Sequence, residues 1–166
     1  INDKKEYLIM SDSHFEQSEI LDETPIDNVK FLKKTIKGKD LVGLEYEPLY
    51  EIPAVKNSGK KAWYVTSADF VNTDEGTGIV HTAVMYGQED FELGTKVGLP
   101  KFHLVNPEGK FIQGTGIFEG RFVKDEEVAV DVIKDLAGRG LLFKKEKYEH
   151  SYPHCWRCHT PLISYA

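Results

Sequence analysis

The sequence predicts an α+β domain with a mostly antiparallel, barrel-like β-sheet and surrounding helices. Strand patterns outnumber helical patterns, the two do not alternate regularly, and turn-forming residues separate neighbouring strand candidates. The chain has 166 residues, of which 40% are hydrophobic and 29% charged, as expected for one globular domain. We therefore expect a single main core.

The first third of the chain predicts a strand, a helix and a second extended segment. Residues 6–10 form a short strand pattern, and the run from Ile26 to Ile36 carries apolar residues at helical spacing after Pro25. Gly38 is expected to end this helix, and Leu41 to Tyr46 resumes an extended pattern.

The central part predicts a hairpin followed by a helix. Two strand candidates, Ala62 to Val71 and Gly76 to Ala83, flank the turn-forming residues 72–75. A helix is predicted from about Gly87 to Lys96, with acidic residues in its first turn. Asp90 is therefore expected near the N-terminus of that helix.

The last third predicts a second hairpin, the clearest helix and a final strand. Phe102 to Val105 and Lys110 to Gln113 flank an Asn-Pro-Glu-Gly turn, in which Pro presets φ and Gly admits a positive φ. Asp125 to Glu127 open a helix that stops at Gly138, and Leu141 to Tyr148 has a strand pattern.

Charge and composition narrow the classes of protein. The net charge of −6 argues against strong autonomous binding of nucleic acid. No apolar run approaches the roughly 20 residues that span a membrane, so a soluble protein is expected. The chain has no initiator Met and no leader, which suggests a segment of a longer protein. Clusters of lysines are either solvated faces or RNA-docking sites: Lys30, Lys33, Lys34, Lys37 and Lys39; Lys56, Lys60 and Lys61; Lys144, Lys145 and Lys147.

The first candidate site is the run GTGIVHTA with the following YGQEDF, which contains His81 and Asp90. A strand that leads into a helix N-terminus can direct a His and a carboxylate into one pocket, beside unpaired backbone N–H groups. The residues alone leave structural alternatives open. His81 would then be a hydrogen-bonded structural residue, Asp90 a charge that complements the helix dipole, and Tyr86 a half-buried core aromatic.

The second candidate site is the Cys155-x-x-Cys158 motif. Such a motif offers two thiolates to one tetrahedral zinc, but a closed structural site needs four ligands. A second Cys pair outside the chain is the simplest source of the other two, and two unliganded Cys in a turn are the alternative. Two closely spaced Cys without a secretory signal favour a reducing compartment, and we expect the cytoplasm.

At these two candidate sites the sequence resembles the connective-peptide editing domain of class I isoleucyl-tRNA synthetases. The matching stretches are GTGIVHTA, YGQEDFELGTKVGLP and SYPHCWRCHTPL, with KGKDLVGLEYEPL upstream. They occur in the family's order and cover essentially the whole chain. The resemblance implies an editing domain over residues 1–150 and, over residues 151–166, a return segment towards the catalytic domain.

The resemblance implies hydrolysis of misactivated valine, either as the ester Val-tRNA(Ile) or as valyl-adenylate. A hydrophobic pocket distinguishes one methylene by only about 1 to 3 kcal/mol, a limit for which isoleucyl-tRNA synthetase is itself the standard example. A second site that refuses isoleucine is therefore needed. By resemblance, Asp90 holds the α-ammonium group and His81 lines the pocket that excludes isoleucine. The remaining substrate-binding positions are Thr82, Ala83, Tyr86 and Gly87.

The resemblance also defines cofactors and partners. It implies that hydrolysis needs no cofactor, that Cys155 and Cys158 are half of a structural zinc site, and that ATP and Mg²⁺ belong to the absent synthetic domain. The partners are the 3′ end of tRNA(Ile) and the other synthetase domains, with no membrane. The chain departs from the family in lacking a Thr-rich peptide that lies upstream, and in Val84 and Glu89, which are often Pro and Asp.

Two other functions remain open on the sequence. The first is a module that binds the tRNA acceptor end and docks other domains without activity of its own. The second is a small zinc-binding structural domain.

Overall fold

The computed structural model describes residues 9–12, 35–73, 77–142, 145 and 151–164. The chain divides into two compact units, one made of Ile1–Glu45 and Tyr64–Thr82 and the other of Tyr46–Trp63 and Ala83–Ala166. In the described ranges, the α-helices are α1 (Pro53–Lys56), α2 (Gln88–Val97) and α3 (Glu126–Gly138), and the 3-10 helices are Gly38–Leu41 and Gly116–Phe118. None of these helices is long and apolar enough to cross a membrane.

The predicted α+β fold with a barrel-like sheet is wrong, because no described residue lies in a β-strand. A ladder needs consecutive extended residues on both partners. Extended pairing in the described part of the chain is limited to isolated bridges: Glu45 with Tyr64, Val105 with Phe111, Lys110 with Phe122, and His154 with Pro161.

Positive φ angles explain why the first predicted hairpin does not form strands. Gly78, the third residue of the predicted strand Gly76 to Ala83, has φ 71°, and Trp63, the second residue of the predicted strand Ala62 to Val71, has φ 55°. Both values are left-handed, so the chain turns where a strand would have to continue. Residues 74 and 75 of the predicted turn, and residue 76 at the start of the second predicted strand, lie outside the described ranges.

In the second predicted hairpin the turn forms but the strands do not. Gly109 has φ 76°, and the side-chain oxygen of Asn106 accepts hydrogen bonds from the backbone N–H groups of Glu108 (3.0 Å) and Lys110 (2.9 Å). The backbone of Phe111 then pairs with residues 120 and 121. The two arms of the hairpin pair only at Val105 and Phe111, where the N–H of Asn106 donates to the carbonyl of Lys110 and the N–H of Ile112 donates to the carbonyl of Leu104.

The predicted helices around residues 87–96 and 125–138 are confirmed. Helix α2 begins after Gly87 and ends at Gly98, which adopts the left-handed conformation with φ 77°. Helix α3 is capped by Asp125, whose side chain accepts a hydrogen bond from the backbone N–H of Glu127 at 3.2 Å. The end of α2 and the start of α3 depend on the type of residue at the cap, which can be read directly from the sequence.

Several predictions fall wholly or partly on residues that the structure does not describe. These are the strand at residues 6–10, the helix at 26–36 and the strand at 141–148. The expectation that Gly38 ends a helix is wrong, because Gly38 begins a 3-10 helix. Leu41 belongs to that 3-10 helix, so the segment from Leu41 to Tyr46 is not extended throughout.

The most buried apolar side chains of the described residues belong to the second unit. Phe118 packs edge-on against Tyr50, with ring centroids 5.4 Å apart, and lies 5.7 Å from the ring of Phe111. The buried members are Met85, Leu93, Val105, Phe118 and Val128. Since Met85 precedes α2 and Leu93 lies within it, burial of these two side chains anchors α2 and the turn before it.

An ion pair between Arg121 and Asp131 of α3 affects the stability of the fold in acid. The carboxylate of Asp131 accepts a hydrogen bond from Arg121 at 2.8 Å and lies 3.6 Å from Nζ of Lys134. The hydrogen bond from Arg121 is the main reason why the pKa of Asp131 lies below its ordinary value of 3.8. Because this pKa is lower in the folded chain, the pair stabilises the fold above the unfolded pKa. That stabilisation is lost as the pH falls through the folded pKa.

We therefore expect the melting temperature of Asp131→Asn to fall less steeply than that of the wild type in acid. Melting curves from pH 6 down to about pH 2 measure this difference. Arg121→Met removes the same pair and should flatten the profile similarly, whereas Lys134→Met removes only the more distant charge and should change it less. A wild-type slope in Asp131→Asn would contradict the prediction.

Candidate functional site

The segment that carries His81 and Thr82 belongs to the first unit. The carbonyl of Thr77 accepts a hydrogen bond from the backbone N–H of Ser11 at 2.7 Å, and a Cβ at position 78 would lie 3.0 Å from the Cβ of Ser11. A glycine is therefore required at Gly78 both by its φ of 71° and by this close approach. His81 is exposed and Thr82 half-buried, so the imidazole of His81 is accessible.

The remaining predicted substrate positions lie in the second unit, on a tight turn that leads into α2. The N–H of Tyr86 donates to the carbonyl of Ala83 at 2.8 Å, and the N–H of Phe91 donates to the carbonyl of Gly87 at 2.9 Å. Asp90 is the third residue of α2 and is half-buried. The first backbone N–H groups of a helix have no partner within it, so this end carries a partial positive charge that stabilises a carboxylate.

The carboxylate of Asp90 folds back over Gly87. A Cβ at position 87 would lie 2.7 Å from Oδ2 of Asp90 and 3.4 Å from its Cγ. Gly87 has φ −147°, an extended value that any residue adopts, so its backbone conformation does not require glycine. The lack of a side chain at Gly87 therefore leaves room for the carboxylate of Asp90.

Tyr86 fixes the turn to the segment at residues 102–105. Its hydroxyl oxygen accepts hydrogen bonds from the N–H of Leu104 at 2.7 Å and from that of Val105 at 3.1 Å. Its ring packs edge-on against His103, with centroids 6.2 Å apart. Since two backbone donors occupy the oxygen, a contact between Tyr86 and a substrate would use the ring or the remaining O–H donor. The role of Tyr86 in substrate binding stays a prediction.

The structure thus collects four of the predicted positions in one unit: Ala83, Tyr86, Gly87 and Asp90. His81 and Thr82 end the first unit. Sequence reasoning missed the backbone amides of Leu104 and Val105, and it missed Gly94, whose place inside a helix was the available signal.

Cys155 and Cys158 lie at a turn. The N–H of His159 donates to the carbonyl of Cys155 at 2.8 Å, and Sγ of Cys158 lies 3.0 Å from Oγ1 of Thr160. This side-chain hydrogen bond lowers the pKa of the Cys158 thiol, which favours the thiolate that binds metals.

The Cys pair fits half of a zinc site. Within the part of the chain that the structure describes, no group of three or more His, Cys, Asp or Glu side chains is placed to hold a metal ion. Nδ1 of the neighbouring His154 lies 2.8 Å from the carbonyl oxygen of Tyr152. Cys155 and Cys158 would supply two of the four ligands of a closed zinc site, and this assignment stays a prediction.

The lysine clusters are only partly described. Lys56, Lys60 and Lys61 have exposed side chains at and after the end of α1. Lys56 forms an ion pair with Glu51. Lys37 and Lys39 are also exposed, and Lys145 is within the described ranges. The remaining lysines of the clusters lie outside them: Lys30, Lys33, Lys34, Lys144 and Lys147.

Comparison with known proteins identifies long, similar stretches in isoleucine–tRNA ligases. The chain is 45% identical over 130 residues to the enzyme of Bacillus thuringiensis, which covers 78% of this chain. It is 47% identical over 134 residues to that of Clostridium novyi and 46% identical over 133 residues to that of Thermus thermophilus, which each cover 80% of this chain. No protein-family model matches the chain.

These similarities place the chain among the aminoacyl-tRNA synthetases. Within that class it belongs to the isoleucine–tRNA ligase family, which confirms the predicted resemblance. The aligned region spans 12% of the length of these relatives, so the chain corresponds to a segment of such a ligase.

Proposed function

We propose that this segment edits the product of an isoleucine–tRNA ligase by hydrolysing misactivated valine, as Val-tRNA(Ile) or as valyl-adenylate. The observation that carries the proposal is the placement of Asp90, whose half-buried carboxylate lies at the N-terminus of α2 over Gly87. The 3′ end of tRNA(Ile) and the other domains of the ligase are the proposed partners.

Asp90 suits the binding of an α-ammonium group. An ionised carboxylate has only acceptor positions, and an ammonium group offers three donors in a charge-assisted contact. Partial burial lowers the local dielectric and strengthens that contact compared with an exposed carboxylate. Asp90 thereby holds the aminoacyl group in place without taking or giving a proton.

With Val-tRNA(Ile) as the substrate, the reaction is an ester hydrolysis. A water oxygen attacks the carbonyl carbon of the valyl ester, the bond from that carbon to the ribose oxygen breaks, and a proton from the water passes to that oxygen. Valine and the free ribose hydroxyl of the tRNA are released. Positioning of the ester and the water contributes to the rate because a held reactant pair avoids the entropic cost of encounter. His81 acts on specificity, since its side chain limits the size of the amino acid that is accepted.

The test is a deacylation assay with the complete polypeptide that carries this segment. Val-tRNA(Ile) and Ile-tRNA(Ile), labelled in the amino acid, are incubated separately, and released amino acid is counted over time. We expect faster release of valine than of isoleucine, because the second site has to refuse the cognate amino acid. Equal rates for the two esters, or rates no faster than without protein, would contradict the proposal.

A second candidate is a docking module that binds the acceptor end of tRNA without hydrolysis. The exposed Lys56, Lys60 and Lys61 favour it, whereas the net charge of −6 opposes it. Titration of uncharged tRNA at 50 and 200 mM salt separates the two functions. Tight binding that weakens steeply with salt, without release of valine, is the result expected of docking.

A further inference from the structure

Helix α2 contains a buried glycine, Gly94, against which Val84 packs. A Cβ at position 94 would lie 2.6 Å from Cγ1 of Val84 and 2.9 Å from its Cγ2. Gly94 lies inside an α-helix and has no positive φ. The glycine is therefore needed for space, because the side chain of Val84 occupies the volume that a side chain at position 94 would take.

A glycine in a helix interior is less favourable than an alanine. The close contact with Val84 offsets this disadvantage by bringing the turn that precedes α2 directly onto the helix backbone. The same turn is held by the hydrogen bonds from Leu104 and Val105 to Tyr86. It is thus fixed on two sides, by α2 and by the segment at residues 102–105.

We propose that Val84 and Gly94 are a positioning pair that sets the carboxylate of Asp90 for the aminoacyl group. This inference depends on the proposed editing function. Residues four apart on a helix share a face, so Gly94 lies one turn along from Asp90 on the same side of α2. A shift of α2 against Val84 therefore moves Asp90 relative to the preceding turn, which the hydroxyl of Tyr86 holds to residues 104 and 105.

The test is Gly94→Ala in the complete polypeptide that carries this segment. The added methyl group displaces Val84, and we expect valine release from Val-tRNA(Ile) to fall about 10- to 100-fold, as small misplacements of positioning groups do. Val84→Ala combined with Gly94→Ala removes the two methyl groups that the new Cβ contacts. This double variant is expected to recover most of the lost rate.

The matched control is Gly138→Ala. Gly138 is also a helical glycine, at the end of α3, and a Cβ there would have no atom within 4 Å. Its substitution also replaces a helical glycine by alanine, but without a clash, and should leave valine release unchanged. Far-UV circular dichroism establishes that each variant is folded at the assay temperature. If Gly94→Ala alone does not fold, the proposal is supported when the double variant recovers both the fold and valine release, and it is contradicted when the double variant folds without releasing valine.

The outcomes separate this inference from the proposed function. A wild-type protein that releases no valine contradicts the function itself. A wild-type protein that releases valine while Gly94→Ala releases it equally fast overturns the positioning role. A folded Gly94→Ala whose lost rate is not regained in the double variant also overturns it, because the loss then does not arise from the contact with Val84.

Discussion

Asp90→Ala is expected to lower valine release from Val-tRNA(Ile) by roughly 30- to 4,000-fold. Loss of one partner of a desolvated, hydrogen-bonded charge pair costs about 2 to 5 kcal/mol, and each 1.4 kcal/mol is a factor of ten. Without the carboxylate, the α-ammonium group of the valyl ester has no acceptor at the start of α2. The measurement is single-turnover deacylation with the complete polypeptide in excess over Val-tRNA(Ile).

The matched control for this substitution is Glu89→Ala. Glu89 is the preceding residue of the first turn of α2, is exposed, and contributes the same formal charge at the helix N-terminus. Its removal costs the helix a similar favourable dipole interaction but leaves Asp90 in place. We expect Glu89→Ala to deacylate nearly as fast as the wild type, and Asp90→Asn to be impaired like Asp90→Ala. Equal losses in Glu89→Ala and Asp90→Ala would show that only helix stability was disturbed.

The helices of the fold were predictable because their ends are encoded locally. Asp125 caps α3 through its own side chain, and Gly98 ends α2 in a conformation that favours glycine. The sheet was not predictable in the same way. Two strand candidates on either side of the turn-forming residues 72–75 suggested a hairpin, but the positive φ angles of Gly78 and Trp63, which this pattern does not reveal, redirect the chain.

The candidate site was predictable to a similar degree. The acidic first turn placed Asp90 correctly, since that preference arises from the helix dipole. The supports of the site depend on contacts between distant residues, which no local pattern identifies. The hydroxyl oxygen of Tyr86 finds its donors on Leu104 and Val105, and the space above Gly94 is filled by Val84.

His81→Ala is expected to change specificity more than rate. If the imidazole limits the size of the accepted side chain, its removal provides room for the additional methylene of isoleucine. One methylene in a hydrophobic pocket is worth about 1 to 3 kcal/mol, so we expect hydrolysis of Ile-tRNA(Ile) to rise by roughly 10- to 200-fold. Release of valine should stay within a few-fold of the wild type. Parallel deacylation assays with both esters measure the ratio directly.

Two further variants establish whether size is the cause. His81→Phe keeps a bulky ring without nitrogen atoms, and it should still protect Ile-tRNA(Ile) if steric exclusion is the mechanism. His154→Ala removes another exposed histidine, at the Cys turn, and should leave both rates unchanged. Intact Ile-tRNA(Ile) in the presence of a His81→Ala variant that still releases valine would refute a role for His81 in exclusion. Loss of valine release in His81→Phe and His81→Ala alike would instead assign the imidazole nitrogens to the hydrolytic step.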